Sequence, residues 1–431
     1  MNPLAEALNA TIKAEDPHVY EMLSDLGKAL YFPKGILSQT AEAKAKATRF
    51  NATIGIATEN GRPMRLELFD EMLPTIKPED AFPYAPPAGK PALRQAWRDR
   101  LLEQNPSMRG KRFGMPIVTN ALTHGLSIAA DLFAGPGDLV VLPDKYWGNY
   151  NLTFSVRRGA VVKTHRTFDA NRRYDVAALR AAISEGRGKK AIVLLNFPNN
   201  PTGYTPGEEE AAGIVQALLD EAEAGTNLVV VLDDAYFGLF YEDSIKESLF
   251  GRLAGLHPRI LPVKVDGATK EEFVWGFRVG FITYAAQGEG TLAALEAKTT
   301  GCIRGTISSG PHPSQTLVLE ALKSPLFEAQ RNQKAETLRA RAAEVKRLLT
   351  SGKYGDAWEF YPFNSGYFMC LKLNGVDAEA LRLHLLDNYG VGTISIGSTD
   401  LRIAFSCVDL PDIEPLFDII YQGYLDLKNK A

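Results

Sequence analysis

AIVLLNFPNNPTG, Ala191–Gly203, begins as a buried strand and ends as a fixed turn. Five apolar residues in a row do not alternate, so both faces of this strand are covered, as in a parallel sheet. Asn, Pro and Gly then supply the backbone restrictions of a tight turn, with Asn200–Pro201 as the candidate for a cis bond. Working outward, Leu139–Leu142 (LVVL), Ala160–Val162 and Leu228–Leu232 (LVVVL) repeat the pattern of short, β-branched runs. Between them, Asp175–Glu185 and Glu208–Ala224 carry apolar residues at helical spacing. Strands alternating with helices predict an α/β fold, a mostly parallel sheet sandwiched by helices. Ligands of such sheets gather at the carboxyl ends of the strands. The segments to inspect are therefore Asp144–Tyr150, Asn196–Gly203 and Asp233–Tyr236.

The C-terminal part changes character. Glu328–Leu349 is one long charged helical pattern, able to bridge two domains. Short strands at Tyr367–Leu373 and Leu401–Phe405 then alternate with helices, which predicts a smaller α+β domain.

Composition narrows the function classes. The 431 residues are 45% hydrophobic and 23% charged, enough for a large core. A formal net charge of −3, with Lys and Arg scattered, lacks the basic patch of a nucleic-acid binder. Cys302, Cys370 and Cys407 are too few and too dispersed for a disulfide framework or a zinc site, and suit a reducing cytosol. No apolar run approaches the ~18 residues of a membrane span, and MNPLAEALNATIKAEDP does not read as a signal peptide. The expectation is a cytoplasmic enzyme with neither metal, membrane nor nucleic acid as partner. No G-x-G-x-x-G follows a strand, which excludes a nicotinamide dehydrogenase.

DDAYFG, Asp233–Gly238, puts a carboxylate at the end of an all-apolar strand, costly unless a cationic or hydrogen-bonding partner waits there. VDGATKEEFVWGFRVG, Val265–Gly280, then offers Lys270 with Arg278 eight positions on. Asn-Pro-Thr-Gly, Asp-x-Ala-Tyr, the lysine and the arginine, in that order, resemble the pyridoxal-phosphate-dependent aminotransferases of fold type I, class I/II, aspartate aminotransferase-like. The resemblance runs from Asn51 to Phe405. It implies three regions: 1–55, an N-terminal segment joining the small domain; 56–325, the large cofactor-binding domain; and 326–431, the small C-terminal domain.

The resemblance also implies roles. Lys270 is the lysine that links to pyridoxal 5'-phosphate and then serves as general base. Asp233 keeps the ring nitrogen protonated, and Asn200 and Tyr236 face the ring's 3′ oxygen. Arg278 clamps the phosphate, helped by the turn Asn120–Gly125, where Ala121 and Leu122 offer only backbone N–H groups and Thr123 keeps a hydroxyl. Gly267 stands where many relatives carry a phosphate-binding serine. In LPDKYWGNY, Leu142–Tyr150, Trp147 resembles the tryptophan that stacks on the ring; a packed core tryptophan is the other reading. Tyr84, in FPYAPPAGKPALR, matches a tyrosine that reaches the partner subunit's phosphate, which implies a homodimer with shared sites.

Substrate class follows from three more positions. Arg402, in LRIAFS, resembles the arginine that holds the α-carboxylate, and Gly55, in NATIGIATENG, supplies a backbone N–H near it. Arg304, in IRGTISSGPHP, is similar to the arginine that crosses the dimer to a distal carboxylate; an arginine serving the interface alone is the alternative. The implied reaction is ping-pong transamination between an L-amino acid, aspartate or glutamate and potentially aromatic, and a 2-oxo acid such as 2-oxoglutarate. Lyases and decarboxylases of the same fold need the same lysine, aspartate and phosphate arginine, so those residues do not discriminate. A cofactor-sensing regulator ranks low, because the first ~50 residues are too short and too little basic for a fused DNA-binding domain.

Overall fold

The computed structural model describes residues 1–15, 17–31 and 36–429. Its larger sheet has seven strands: β1 (Ile117–Asn120), β2 (Leu139–Pro143), β3 (Val161–His165), β4 (Lys190–Asn196), β5 (Asn227–Asp233), β6 (Ile260–Asp266) and β7 (Val279–Tyr284). Their spatial order is β1-β7-β6-β5-β4-β2-β3. All neighbours are parallel except β7, which runs antiparallel to both β1 and β6. The apolar runs Ala191–Leu195 and Leu228–Leu232 are buried along their whole length, as strands covered on both faces must be.

β6 explains how both faces are covered. Successive side chains of a strand point to opposite faces. Val265 Cγ1 lies 2.8 Å from where a Cβ on Gly125 would stand, so it faces the helix Ala121–Phe133. The next residue, Asp266, accepts from Trp97 Nε1 at 3.2 Å, and Trp97 belongs to the helix Pro91–Gln104. The two helices therefore lie on opposite sides of the sheet. Lys264, also in β6, is wholly buried and contacts Asp234 and, at 3.3 Å, Asp266. A buried ammonium persists there only because carboxylates surround it.

A second, antiparallel sheet is built from β8 (Trp358–Phe360), β9 (Phe368–Leu373), β10 (Ile394–Ile396) and β11 (Asp400–Ala404), in the order β8-β9-β11-β10. The N-terminal chain lies against it. Phe50–Asn51 pairs in parallel with Val391–Gly392, Ala404 N–H donates to Ala52 O at 2.9 Å, and Gln39 bonds to Ser395. The predicted charged helix is Phe327–Thr350. It reaches segments that follow strands of both sheets: Arg331 bonds Glu271, after β6, at 3.0 Å, and Arg341 bonds Ser406 O and Asp409, after β11, at 2.6 Å. Among the described residues, no helix is long and apolar enough to cross a membrane.

Candidate active site

The site forms where β4, β5 and β6 end, as a parallel sheet dictates. The turn after β4 is held by its own side chains. Asn196 Nδ2 donates to Asp233 O at 2.8 Å, while its Oδ1 accepts from Asn200 N–H at 2.8 Å. Asn199 Oδ1 accepts from the hydroxyl and backbone N–H of Thr202. Gly203 has φ +77°, and a Cβ there would stand 2.0 Å from Phe368 O, so only glycine lets this turn press on β9. The cis bond expected at Asn200–Pro201 lies instead at Phe197–Pro198, one turn earlier in the same Asn/Pro-rich stretch.

Asp233, 3% exposed, ends β5. Its Oδ2 accepts from Tyr150 Oη at 2.7 Å and its Oδ1 from Ala235 N–H at 3.2 Å. Burial raises its pKa to about 6, against the pull of Tyr150 and the nearby Lys270 ammonium. Lys270 follows β6 in a short helical turn, Ala268–Glu271. Its Nζ lies 5.2 Å from the centre of the Tyr236 ring and makes no hydrogen bond or ion pair with any described residue. Burial lowers its pKa to about 8; Asp233 opposes this, and Arg278 adds to it. Behind the lysine, Tyr367 Oη donates to Lys270 O at 3.0 Å, which fixes the turn.

From Tyr236 the cluster continues into the small sheet. The Tyr236 and Phe368 rings are 5.6 Å apart, and Arg402 Cζ sits 4.2 Å from the Phe368 ring centre. Arg402, 1% exposed on β11, donates from Nη1 to Asn200 Oδ1 at 3.0 Å and from Nη2 to Thr53 O at 2.9 Å. Its Nε is buried without a partner, and no described carboxylate pairs with it. An unpaired buried guanidinium is costly and suits an incoming carboxylate. Gly55 follows Thr53 by two residues and stands beside the Phe368 ring.

At the other end, the helix Ala121–Phe133 starts within the turn Asn120–Gly125. Ala121 N–H is already used, donating to Arg278 O at 3.1 Å, so Leu122 and the exposed Thr123 carry the open donors of the first turn. The Arg278 side chain is exposed and, among the described residues, donates only to Trp275 O at 3.4 Å. Gly267 meets Gly280 here: a Cβ on Gly267 would stand 2.6 Å from Gly280 Cα and 2.7 Å from Val279 O. A serine does not fit at 267 without moving β7.

Trp147 is partly buried in the loop after β2, its ring edge-on to Tyr150 at 5.6 Å. The structure thus gathers Lys270, Asp233, Tyr236, Asn200, Arg402 and Gly55, and sets Ala121, Leu122 and Thr123 beside Arg278. Tyr84, 92% exposed, and Arg304, exposed and bonded to Ser308 at the end of the helix Glu289–Thr306, stand apart from this cluster. Sequence reasoning passed over Tyr150 and Thr53. Tyr150 lay within the inspected segment, three residues after Trp147; Thr53 acts through its backbone, which leaves no side-chain signal.

Pyridoxal phosphate fits these residues. The Lys270 amine, the Tyr236 hydroxyl and Asn200 Nδ2 make no hydrogen bond to any described residue, and the buried Thr269 Oγ1 also has no partner. A partly neutral amine, a buried acid and an arginine beside a helix start match an aldehyde, a ring nitrogen and a phosphate.

Comparison with known proteins agrees. The model of the family "Aminotransferase class I and II" matches residues 71–420. The chain is 28% identical over 229 residues to an aspartate aminotransferase of Musicola paradisiaca, covering 53% of this chain and 54% of that one. It is 26% identical over 321 residues to an aspartate aminotransferase of Bacillus sp. strain YM-2, covering 73% and 75%. The chain thus spans about half the length of the first of these relatives. An aminotransferase of Anaerococcus prevotii superposes with a TM-score of 0.83 at 21% identity, over 94% of this chain and 99% of that one, which shows the fold. With a family match over residues 71–420, the chain belongs to the class I and II aminotransferases, a family of pyridoxal-phosphate-dependent transferases.

Proposed function

We propose that this enzyme moves an amino group between an L-amino acid, aspartate or glutamate first and aromatic ones as a further class, and a 2-oxo acid such as 2-oxoglutarate, in a ping-pong cycle. The observation that carries the reading is Arg402: a buried guanidinium without a carboxylate partner, one hydrogen bond from Asn200 and one aromatic ring from Tyr236. It suits the α-carboxylate that all amino acids share.

Bound at Lys270, pyridoxal phosphate supplies an electron sink for the amino acid's Cα–H electrons. The residues do the rest. Arg402 and the backbone near Gly55 orient the substrate by its carboxylate. Lys270 Nζ takes the proton from Cα, a task its lowered pKa suits near neutral pH. With the cofactor bound, Asp233 would hold a proton on the ring nitrogen, Tyr236 and Asn200 would donate toward the ring oxygen, and Trp147 would cover the ring. Arg278, with the N–H groups of Leu122 and Thr123, holds the phosphate. The exposure of Tyr84 and Arg304 fits a homodimer in which both reach the partner's site, Arg304 toward a distal carboxylate. The division into 1–55, 56–325 and 326–431, and a cytoplasmic location, belong to the same reading.

The test is an amino-donor panel with 2-oxoglutarate on the parent and on Arg304→Ala. Exchange of 2-oxo acids, with a loss in the variant confined to dicarboxylic donors, is the expected result. An even loss reduces Arg304 to the interface, and release of ammonia or CO₂ instead of exchange indicates a lyase or decarboxylase.

A further inference from the structure

Tyr150 is enclosed, 1% exposed, at the end of the loop that follows β2. Its hydroxyl donates to Asp233 Oδ2 at 2.7 Å, the shortest hydrogen bond this carboxylate receives. Burial and the adjoining carboxylate both resist loss of the phenol proton, so Tyr150 stays a donor throughout the physiological range. Its direction is fixed as well. The ring is edge-on to Trp147 and stacked at 6.5 Å on Tyr146. The loop itself is pinned by Lys145 Nζ to Asp400 at 2.6 Å and by Asn199 Nδ2 to Lys145 O at 3.2 Å.

A carboxylate accepts about four hydrogen bonds, and Asp233 takes two from the described residues, leaving room for a further donor such as a ring N–H. We propose that Tyr150 is a positioning residue that sets where the proton between Asp233 and the cofactor's ring nitrogen resides. This rests on the reading of Asp233 as the ring-nitrogen partner.

One proton is shared by two bases, a carboxylate oxygen and a pyridine nitrogen. The Tyr150 hydroxyl draws charge from Oδ2 and weakens the carboxylate as a base, so the proton moves to the ring. Without the phenol, a carboxylate in so dry a place holds the proton more tightly and returns the ring toward its neutral form. A merely structural Tyr150 would alter melting temperature and cofactor affinity but leave ring protonation alone.

The experiment records ¹⁵N spectra of holoenzyme loaded with ring-¹⁵N pyridoxal phosphate, as a function of pH. It compares the parent, Tyr150→Phe, Asp233→Ala and a protein with 3-fluorotyrosine at 150. The expected result is a nitrogen signal shifted toward neutral pyridine in Y150F and toward pyridinium with the stronger fluorinated donor, at pH values where the parent keeps the shared proton. In Y150F, kcat then falls roughly ten- to hundredfold, the span of a hydrogen bond to a charged group, while KM holds. If Asp233→Ala leaves the nitrogen signal unmoved, the reading of Asp233 fails. If it moves the signal but neither change at 150 does, the role of Tyr150 is overturned. The fluorinated protein keeps the side chain's shape, so the test survives a Y150F that does not fold.

Discussion

Asn200 Oδ1 accepts from Arg402 Nη1 at 3.0 Å. Asn200 stands in the turn after β4 of the larger sheet, and Arg402 on β11 of the smaller. The hydrogen bond is one of the contacts that join the two sheets beside the site, and it aims the guanidinium at whatever binds beside Asn200. Thr53 O completes the grip at 2.9 Å, so Arg402 keeps its orientation before any ligand arrives.

Replacing Arg402 by alanine therefore leaves two buried acceptors unpaired as well as removing a charge. We expect kcat/KM for every amino donor to fall roughly ten- to hundredfold, chiefly through KM. Arg402→Lys recovers little, because a point ammonium cannot serve Asn200, Thr53 and a carboxylate together. Steady-state kinetics on donors of differing side chain check this; a loss restricted to acidic donors would contradict the assignment.

The lowered pKa of Lys270 makes a prediction about the apoprotein. Only the neutral amine attacks an aldehyde, so covalent capture of pyridoxal phosphate rises about tenfold per pH unit and levels off above about 8. Stopped-flow absorbance measures the rate. In Lys270→Ala no borohydride-stable adduct forms at that position, although cofactor still binds, and ordinary transamination is lost.

Glu272 predicts a stability slope. It is wholly buried, neither oxygen has a hydrogen-bond partner, and Arg100 Nε is 3.8 Å away. Burial raises its pKa to about 8 from an ordinary 4.5. Between those values the folded protein keeps a proton that the unfolded chain has released. Stability then falls as pH rises through the window, by up to ~1.4 kcal/mol per unit. Glu272→Gln removes that term, so its stability relative to the parent climbs from pH 4.5 to about 8 in denaturant melts. A pH-independent difference would mean that Glu272 is ionised in the fold.

Gly267→Ser tests the backbone contact between the Lys270 segment and β7. The added Cβ would stand 2.6 Å from Gly280 Cα. Forcing it in costs roughly 1–3 kcal/mol and displaces Arg278, two residues before Gly280. We expect a lower melting temperature and weaker cofactor retention on dialysis. Tighter retention would show that the contact yields and that the serine reaches the phosphate.

The legible parts of this protein were those with uninterrupted apolar strands. β4 and β5 announced themselves, and Asn200, Asp233 and Tyr236 were found by looking just past their ends. β6 was hidden, because Pro262 and Lys264 break its apolar run, and the lysine's burial depends on Asp234 and Asp266, which only the fold brings near. The cis bond lies at Phe197–Pro198 and not at Asn200–Pro201. Tyr150 was missed because a tyrosine in a loop carries no mark of the carboxylate it will meet. Trp147 and Arg402 were singled out by resemblance alone; the fold sets Arg402 against Asn200 and Trp147 edge-on to Tyr150.

The ion pair from Lys145 to Asp400 has a mechanical consequence. Lys145 precedes Trp147 by two residues, and Asp400 precedes Arg402 by two, so the pair, at 2.6 Å and largely shielded from water, ties the loop that carries Trp147 to the strand that carries Arg402. A shift of the strand that carries Arg402 would therefore either pull the indole-bearing loop along or break this ion pair.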